Sequence, residues 1–382
     1  MSTAFAAALS QHPVLADAVG EVAGQVLEAV GERPDLACLF VTPPHAGAME
    51  GAAAAVGALL HPTTLLGCTA ESVVGGRREV EQEPGVTLWA GRVGPTAPFH
   101  LTVERAPDGA VLTGWPAAMP DDAAAVLVLA DPFSFPADAF LARLGEDHPG
   151  LPVVGGLASA GRGPGGNRLV LDGRTVTEGA VGTFLTGAEV DVATVVSQGC
   201  RPIGQPLVAT RTEGNVVYEL AGRPALDRLQ EMAAAASAEE RGLLQQGLHL
   251  GIVIDEHKAD FERGDFLVRS VLGAHRESGA LVAGDEVDVG ATVQFHVRDA
   301  ASADEDLRSL VAGRRADGAL LFTCNGRGTR LFSVPDHDAS VLDDALDRAP
   351  LAGMSCAGEL GPVGHRNFLH GFTASVVLFR RR

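Results

Sequence analysis

Apolar residues along the chain follow two alternating patterns. Helical spacing covers residues 14–30 and 47–60, whereas continuous apolar runs cover 36–42 and 64–68. Short continuous runs that end at proline or glycine predict buried strands. The order helix, strand, helix, strand therefore predicts an α/β fold with ligand chemistry at the strand ends, where open α/β sheets bind their ligands.

The same order of patterns occurs again further along the chain. It predicts helices at 304–312 and 339–346 with strands at 319–323 and 351–355. The segments ERPDLACLFVTPPH and GRRADGALLFTCNGRG can be aligned, and so can LLGCTAESVVGG and LAGMSCAGELGPVG, with one residue of slack. A third, partial copy has the predicted elements 125–130 and 136–144 followed by LPVVGGLASAG. Recurrence of this kind predicts a repeated β-α-β-β unit with mixed sheets, pseudo-duplicated in two domains.

The middle segment, 198–298, is predicted to contain a fourth unit. Its pattern predicts a hairpin at 207–218, across the Glu-Gly-Asn turn, and a helix at 224–235. Three strands are predicted after them, at 250–254, 266–272 and 292–297. The polar stretch 237–246 predicts a flexible connection. We place the main boundary at 195–199, which gives an N-terminal domain of residues 1–195 and a C-terminal domain of residues 196–382.

Charge and cysteine content narrow the class of protein. The 382 residues carry a formal net charge of −19, which repels phosphate backbones and argues against nucleic acid or an anionic membrane as a partner. No apolar run reaches the roughly 20 residues that a membrane span needs. The five cysteines are widely spaced and form no C-x-x-C pair, so we expect reduced thiols in a cytoplasmic protein.

Several catalytic and metal motifs receive weak support. The G-x-G-x-x-G match at 161–166 precedes a predicted strand instead of a helix, which favours a plain loop over a dinucleotide site. The sequence contains neither G-x-S-x-G nor H-E-x-x-H. Asp336, His337 and Asp338 are better explained as an acidic helix N-terminus than as metal ligands, so no metal site is predicted.

Two cysteines at strand ends are candidate nucleophiles. Cys324 and Cys356 each follow a predicted strand, and His370 is a candidate base for either thiol. The alternative is that both are small buried cysteines, and we favour it. The sequence therefore indicates a binding protein more than an enzyme.

The segment Asn325-Gly326-Arg327-Gly328 is more informative. Its glycines let the backbone approach a ligand closely, and Arg327 offers a forked donor set for a carboxylate or phosphate. Glu359 lies in a Gly-Pro turn and could bind an amine. Together they suit a zwitterionic small molecule such as an amino acid; a salt bridge between Arg327 and Glu359 explains the pattern equally well.

The motifs CLFVTPPH, LLGCTAESVVGG, LLFTCNGRG, GMSCAGELGP and HGFTASVVLF resemble those of the FIST family along nearly the whole chain. The resemblance implies FIST N-terminal and C-terminal domains and a stand-alone bacterial sensory protein, of actinobacterial type, that binds a small molecule such as an amino acid or another small carboxylate. It also implies signalling through a separate partner protein, because the sequence leaves no room for an output domain.

Some bacterial relatives implied by this resemblance are haem-binding nitric-oxide sensors, which would require an axial histidine such as His370 or His337. We predict no cofactor, with haem as the alternative. A Cys-dependent enzyme is the second alternative. The predicted ligand-binding residues are Cys68, Glu71, Asn325, Arg327, Ser355, Cys356, Glu359 and His370.

Overall fold

The computed structural model describes residues 4–106, 109–116, 119–187 and 189–382. From residue 5 to residue 106 the elements are β1 (Phe5–Ser10), α1 (Leu15–Val30), β2 (Leu36–Val41), α2 (Met49–Leu60), β3 (Thr64–Thr69), β4 (Ser72–Gly75), β5 (Arg78–Glu81), β6 (Val86–Gly91) and β7 (Thr96–Ala106). From residue 109 to residue 198 they are β8 (Gly109–Thr113), β9 (Ala123–Ala130), α3 (Ala137–Asp147), β10 (Val153–Leu157), β11 (Leu169–Leu171), β12 (Arg174–Val176), β13 (Ala180–Thr186) and β14 (Val190–Gln198).

The middle segment contains β15 (Cys200–Glu213), β16 (Val216–Leu220), β17 (Arg223–Pro224), α4 (Ala225–Ala235), α5 (Ala238–Gln246), β18 (Leu248–Val253), β19 (Phe266–His275), β20 (Ala280–Ala283) and β21 (Thr292–Arg298). The last segment contains α6 (Ala300–Val311), β22 (Gly318–Cys324), α7 (His337–Ala345), β23 (Leu351–Cys356), β24 (Glu359–Val363), β25 (Arg366–His370) and β26 (Thr373–Arg381). None of the helices in the described ranges is long and apolar enough to cross a membrane.

The chain forms two compact units. The first unit comprises Met1–Val196, Leu307–Leu369 and Thr373–Arg382, and the second comprises Ser197–Asp306 with His370–Phe372. The middle segment therefore interrupts the first unit along the chain, between β14 and the C-terminal part of α6. The α/β class is confirmed, whereas the domain division at residues 195 and 196 stays a prediction.

The first unit contains the predicted repeat three times. Its three sheets have the strand orders β1-β6-β2-β3-β11-β12, β8-β7-β13-β9-β10-β24-β25 and β14-β26-β22-β23-β4-β5. In each sheet a parallel pair lies at the centre: β2 with β3, β9 with β10, and β22 with β23. The last strand of each repeat runs antiparallel to the first member of this pair. We call these the first, second and third repeats.

Each repeat donates a hairpin to another repeat. The hairpin β4–β5 of the first repeat pairs with β23 of the third, and β24–β25 of the third pairs with β10 of the second. The hairpin β11–β12 of the second repeat pairs with β3 of the first, which completes the cycle. Each sheet is thus completed by a hairpin from another repeat, so that no repeat alone supplies all the strands of its sheet.

One apolar core joins the three sheets, and separate cores lie under the helices. The shared core draws on all three repeats, with Phe40, Leu127 and Phe322 among its fully or almost fully buried members. On the opposite face of each sheet, α1 and α2, α3, and α6 and α7 cover their own clusters. Burial of both faces is the reason that the central strands are continuous apolar runs.

A glycine in the second parallel strand of each repeat allows close contact with the first. Gly67, Gly155 and Gly353 lie opposite Leu39, Val128 and Leu321 in register. A Cβ atom added to them would lie 2.4, 1.9 and 1.9 Å from the carbonyl oxygen of that opposite residue. The recurring apolar pair followed by glycine thus reflects a steric requirement of the repeat.

The second unit is built on one seven-stranded sheet of order β15-β21-β18-β19-β20-β16-β17. Within the described residues its neighbouring strands are antiparallel, and α4 and α5 pack on it around an apolar cluster that includes Leu250 and Phe295. It lacks the parallel pair of the repeats within the described residues. The hairpin and strands predicted for this segment are present.

The flexible connection predicted at 237–246 is wrong, because these residues form α5. Ser237 accepts a hydrogen bond from the backbone N–H of Glu240, and the Glu240 carboxylate accepts one from the backbone N–H of Ser237. This reciprocal capping box starts a helix even in a polar sequence. Strand β1, which the sequence analysis did not predict, pairs with β6 along its whole length.

Replacement of Gly353 by alanine is expected to lower the free energy of unfolding by about 3 kcal/mol or more, because its Cβ would collide with the Leu321 carbonyl oxygen. The matched control is Gly24→Ala in α1, where nothing lies within 4 Å of the added atom. That control should stabilise the protein by about 0.5–1 kcal/mol. Urea denaturation measures both, and equal effects of the two changes would contradict the steric account.

Candidate functional site

The parallel strands β22 and β23 end side by side at a polar cluster of the third repeat. Cys324 and Cys356 are in register, and the backbone N–H of Asn325 donates to the Cys356 carbonyl at 2.9 Å. The chain then turns through Gly326 into residues 327–330. This loop is the segment in which the sequence placed its main ligand-binding residues.

Arg327 is buried and is paired with Asp338 at the start of α7. Its Nε and Nη2 atoms donate to the two Asp338 carboxylate oxygens at 2.7 and 2.8 Å, and both side chains are fully inaccessible to solvent. The guanidinium carbon lies 5.3 Å from the centre of the Phe332 ring. The third nitrogen, Nη1, is buried and has no hydrogen-bond partner among the described residues. The salt bridge that we considered between Arg327 and Glu359 is therefore absent, and the partner is Asp338.

Asp338 is held ionised by its surroundings. Burial alone would raise its pKa, but the Arg327 charge, the Arg327 hydrogen bonds and a bond from His337 keep the pKa of Asp338 well below its usual range. Thr323 Oγ1 also donates to this carboxylate, at 2.8 Å. The His337 ring stacks on Phe332 with 3.5 Å between ring centres. Asp338 is thus a fixed anion that orients the arginine.

The N-terminus of α7 is capped from another repeat. Glu79, in the donated strand β5, accepts a 2.9 Å hydrogen bond from the backbone N–H of Ala339. Asp336 precedes the helix but makes no capping bond from its side chain; it accepts instead from the backbone N–H of Glu79 at 2.7 Å. Burial, and then the neighbouring Asp338, raise the pKa of Glu79 to about 8. The predicted acidic N-terminus is present, but the capping group is Glu79.

Glu359 is completely buried in the same unit. Its Oε2 atom accepts from the backbone N–H and the hydroxyl of Thr373 at 3.1 and 2.8 Å. The other oxygen, Oε1, has no partner of ordinary hydrogen-bond geometry among the described residues. Burial raises the pKa of Glu359 to about 8, although Thr373, Arg327 and Cys324 act to lower it. This carboxyl group is therefore mostly protonated at neutral pH.

The donated hairpin and Glu71, the residue before it, also hold the loop that follows Arg327. Glu81 accepts from the backbone N–H and the hydroxyl of Thr329 at 3.0 and 2.6 Å, and Glu71 forms an ion pair with Arg330. Gly328 has a φ of +57°, and a Cβ atom there would lie 2.5 Å from Glu81 Oε1. Both bonded loop residues are exposed to solvent. We call these two contacts, Glu81–Thr329 and Glu71–Arg330, the latch.

Behind the latch lies a cavity of about 10 Å³, which is room for one water molecule. Its lining includes Arg327, Asn325, Ser355 and Glu79. Ser355 Oγ accepts from the backbone N–H of Ser72 at 2.9 Å. Among the predicted ligand-binding residues, the structure thus brings together Asn325, Arg327, Ser355 and, at the latch, Glu71.

Of the other predicted site residues, Cys324 lines this cavity, whereas Cys68, Cys356, Glu359 and His370 are not among its lining residues. Cys68 and Cys356 are fully buried in the shared core, and the Cys68 Sγ atom lies 2.9 Å from Met354 Sδ. Cys324 lines the cavity and is 8% exposed. His370 is buried and belongs to the second unit. That these residues bind a ligand or take part in catalysis stays a prediction.

The sequence analysis missed two features. A cavity of about 170 Å³ in the second repeat is lined by apolar side chains, including Leu101, Trp115 and Phe140, with a polar rim. In the second unit His249 and His296 lie opposite each other on β18 and β21, and each has a buried ring nitrogen without a partner in the described part of the chain. Both features come from pairings between distant segments, which residue spacing does not reveal.

Comparison with known proteins assigns the family. The family model described as FIST N domain matches residues 35–223, and the model described as FIST C domain matches residues 225–362. The chain belongs to the FIST family. FIST domains are generally associated with small-molecule-binding sensory roles in signalling.

Mycobacterial proteins are similar to this FIST chain over almost their full length. The uncharacterized protein Rv0628c of Mycobacterium tuberculosis (strain ATCC 25618 / H37Rv) is 46% identical over 381 residues, which cover 97% of this chain and 98% of the relative. The uncharacterized protein Mb0898c of Mycobacterium bovis (strain ATCC BAA-935 / AF2122/97) is 45% identical over 376 residues, with 96% of both chains covered. The actinobacterial character expected from the sequence agrees with these relatives.

The buried carboxyl group of Glu359 is expected to make the protein less stable as the pH rises from 5 to 8. Its pKa of about 8 in the folded protein lies above the ordinary value of 4.5, so folding favours the protonated form. This stabilisation is complete below pH 4.5 and is lost as the pH approaches 8. Glu359→Gln should reduce the difference in unfolding free energy between pH 5 and pH 8.

The matched control is Glu83→Gln, which changes an exposed side chain. Urea denaturation at a series of pH values compares both variants with the unmodified chain. A Glu359→Gln profile parallel to that of the unmodified chain would show that this carboxyl group is already ionised in the folded protein.

Proposed function

We propose that this FIST protein is a sensor whose ligand is an amino acid or another small carboxylate, bound at the strand ends of the third repeat. The observation that carries the proposal is the unpartnered Nη1 atom of Arg327, a buried cationic donor beside a polar cavity. An unpaired buried donor of this kind loses its hydration without a compensating bond. A ligand carboxylate would supply that bond.

The fixed groups around Arg327 support this choice of ligand. Asp338 occupies two of the guanidinium nitrogens and holds the plane of the group, so the remaining nitrogen has a defined direction. Asn325 and Ser355 also line the cavity, and their side-chain oxygens could accept a hydrogen bond from a ligand amine or hydroxyl group. A carboxylate with a nearby donor therefore complements the site better than a simple anion.

Ligand entry requires the latch to open, because the cavity of about 10 Å³ admits only a water molecule. Exposed ion pairs and hydrogen bonds such as Glu81–Thr329 each contribute about 0–1 kcal/mol, so the latch can open without loss of the core. A ligand that binds only the open form shifts the population toward it. A separate signalling protein would then recognise the opened loop and hairpin.

A screen by thermal shift and calorimetry against the amino acids and small carboxylates tests the proposal. At a ligand concentration of 100 times Kd, the expected stabilisation is about 2.7 kcal/mol. Arg327→Lys, which loses the forked donor geometry, should weaken binding at least about tenfold while circular dichroism confirms folding. If none of these compounds stabilised the unmodified protein, the proposal would be contradicted.

The latch gives a second test that leaves Arg327 unchanged. Glu81→Gln should raise the apparent affinity about twofold to fivefold, because a larger open fraction binds more tightly overall. The matched control is Glu256→Gln in the second unit, where Glu256 accepts from the N–H and hydroxyl of Thr292 at 2.6 and 2.7 Å in the same way. Unchanged affinity in Glu81→Gln would show that the latch does not control entry.

A second position for a small ligand is the 170 Å³ cavity of the second repeat. Trp115 lines it and contacts the rings of Phe99, Phe140 and Phe184 at 5.2–5.8 Å between centres. Apolar walls with few polar groups favour an apolar or aromatic ligand over an amino-acid zwitterion. Trp115→Ala should leave carboxylate binding unchanged. If this variant no longer bound carboxylates, the ligand would have to bind in the cavity of the second repeat.

Two alternatives from the sequence stay predictions. For haem, His337 is stacked on Phe332 and bonded to Asp338, so binding its ring to iron would require both contacts to be rearranged. For a Cys-dependent enzyme, the suggested nucleophile Cys356 is completely buried, and burial raises the pKa of its thiol well above the ordinary value. The polar cluster around Arg327 gives more support to ligand binding than to either alternative.

A further inference from the structure

We infer that Cys324 and Cys356 form a redox pair that a hydroperoxide converts into a reversible disulfide. The inference concerns covalent modification of the strand ends and does not depend on the proposed ligand. Both residues are reduced cysteines in this structure. They are the last residues of two adjacent parallel strands, which are the innermost pair of the third sheet.

The strand register brings the two thiols within bonding range. Cys324 and Cys356 are direct partners across β22 and β23, so their side chains extend from the same face of the sheet. Neighbouring strands lie about 4.8 Å apart, which falls within the Cα separation of about 4.4–6.8 Å seen in disulfides. Rotation of the two side chains toward each other closes the bond without a change of register.

Strand register also excludes a disulfide between Cys38 and Cys68 in the first repeat. In that parallel pair Cys38 is opposite Leu66, whereas Cys68 is opposite Phe40. The two thiols are thus diagonal neighbours, at about 7–8 Å, which exceeds the reach of a disulfide. The first repeat is therefore an internal control with the same fold, the same sheet position and two cysteines out of register.

The surroundings assign different roles to the two cysteines. Cys324 is 8% exposed and lines the cavity behind the latch, and its Sγ atom accepts from the backbone N–H of Gly326 at 3.4 Å. Cys356 is completely buried, and burial raises the pKa of its thiol well above the ordinary value. Cys324 is the less buried of the two thiols and has a nearby N–H donor and the Arg327 charge, so it is the one that a peroxide oxidises first.

The chemistry balances in two steps. The Cys324 thiolate attacks one peroxide oxygen, the O–O bond breaks, and Cys324 sulfenic acid and one water or alcohol are formed. The Cys356 sulfur then attacks the Cys324 sulfur and expels the hydroxyl group, which leaves as water with the Cys356 proton. Two thiols lose two hydrogen atoms, and the hydroperoxide is reduced. Glu359, whose carboxyl group interacts with both thiols, can carry the proton between them.

The test uses the full chain and hydrogen peroxide in the absence of any ligand. After treatment, remaining thiols are alkylated, and the protein is digested without reduction and analysed by mass spectrometry. The expected product is one peptide pair that joins Cys324 to Cys356 and that dithiothreitol separates again. No linked peptide should contain Cys38 or Cys68. Unreacted Cys324, or a disulfide between any other two cysteines, would overturn the inference.

Two variants separate the roles. In Cys356→Ser the Cys324 sulfenic acid should persist and react with dimedone, whereas in Cys324→Ser neither a disulfide nor a dimedone adduct should form. Cys200→Ser, in the second unit, is the control and should form the disulfide like the unmodified chain. Circular dichroism establishes that each variant is folded. Dimedone labelling of Cys324 that is as strong in the unmodified chain as in Cys356→Ser would show that Cys356 does not resolve the oxidised thiol.

Discussion

The exchange of hairpins among the three repeats is the constraint on which the first unit depends. In each central parallel pair, the outer edge of the second strand would expose unpaired backbone groups if no hairpin were donated to it. The edge of β23 is covered by β4, which comes from a repeat more than 270 residues earlier in the chain. Since the edges of β3, β10 and β23 are all covered in this way, no repeat can unfold without exposing an edge of another. The exchange also brings the side chains of the first repeat to the strand ends of the third.

The three repeats have the same backbone arrangement, but the side chains at equivalent positions differ in their chemistry. At the end of the first parallel strand, the equivalent positions are occupied by Thr42, Asp131 and Cys324. In the donated hairpins, Leu169 and Val73 lie opposite Cys68 and Met354, whereas Glu359 lies opposite Gly156. A buried carboxyl group thus replaces an apolar side chain in one hairpin of the three. An added Cβ at Gly156 would lie 2.4 Å from Cys356 Sγ, so this smallest residue leaves room for the thiol beside Glu359.

Local patterns predicted the elements, and long-range pairing determined the site. The α/β class and the repeat could be predicted because strands such as Leu36–Val41 are apolar throughout and buried on both faces. The partner of Arg327 could not, because Asp338 and Glu359 are chemically equivalent at the level of sequence and only the fold selects between them. The role of Glu79 depends on the donated hairpin, which no local pattern encodes. By contrast, α5 had a readable signal in Ser237 and Glu240, and the polar composition of the segment concealed it.

The energies of the contacts divide the site into a rigid part and a part that can move. Breaking a buried ion pair such as Arg327–Asp338 by removing one partner costs about 3–5 kcal/mol, because the remaining charge stays buried. The exposed latch contacts contribute about 0–1 kcal/mol each. The loop at 328–330 can therefore move while Arg327 keeps its orientation. A ligand or an oxidant that reaches Cys324 and Arg327 then encounters groups already in position, and the free energy of binding or reaction has to offset only the opening of the latch.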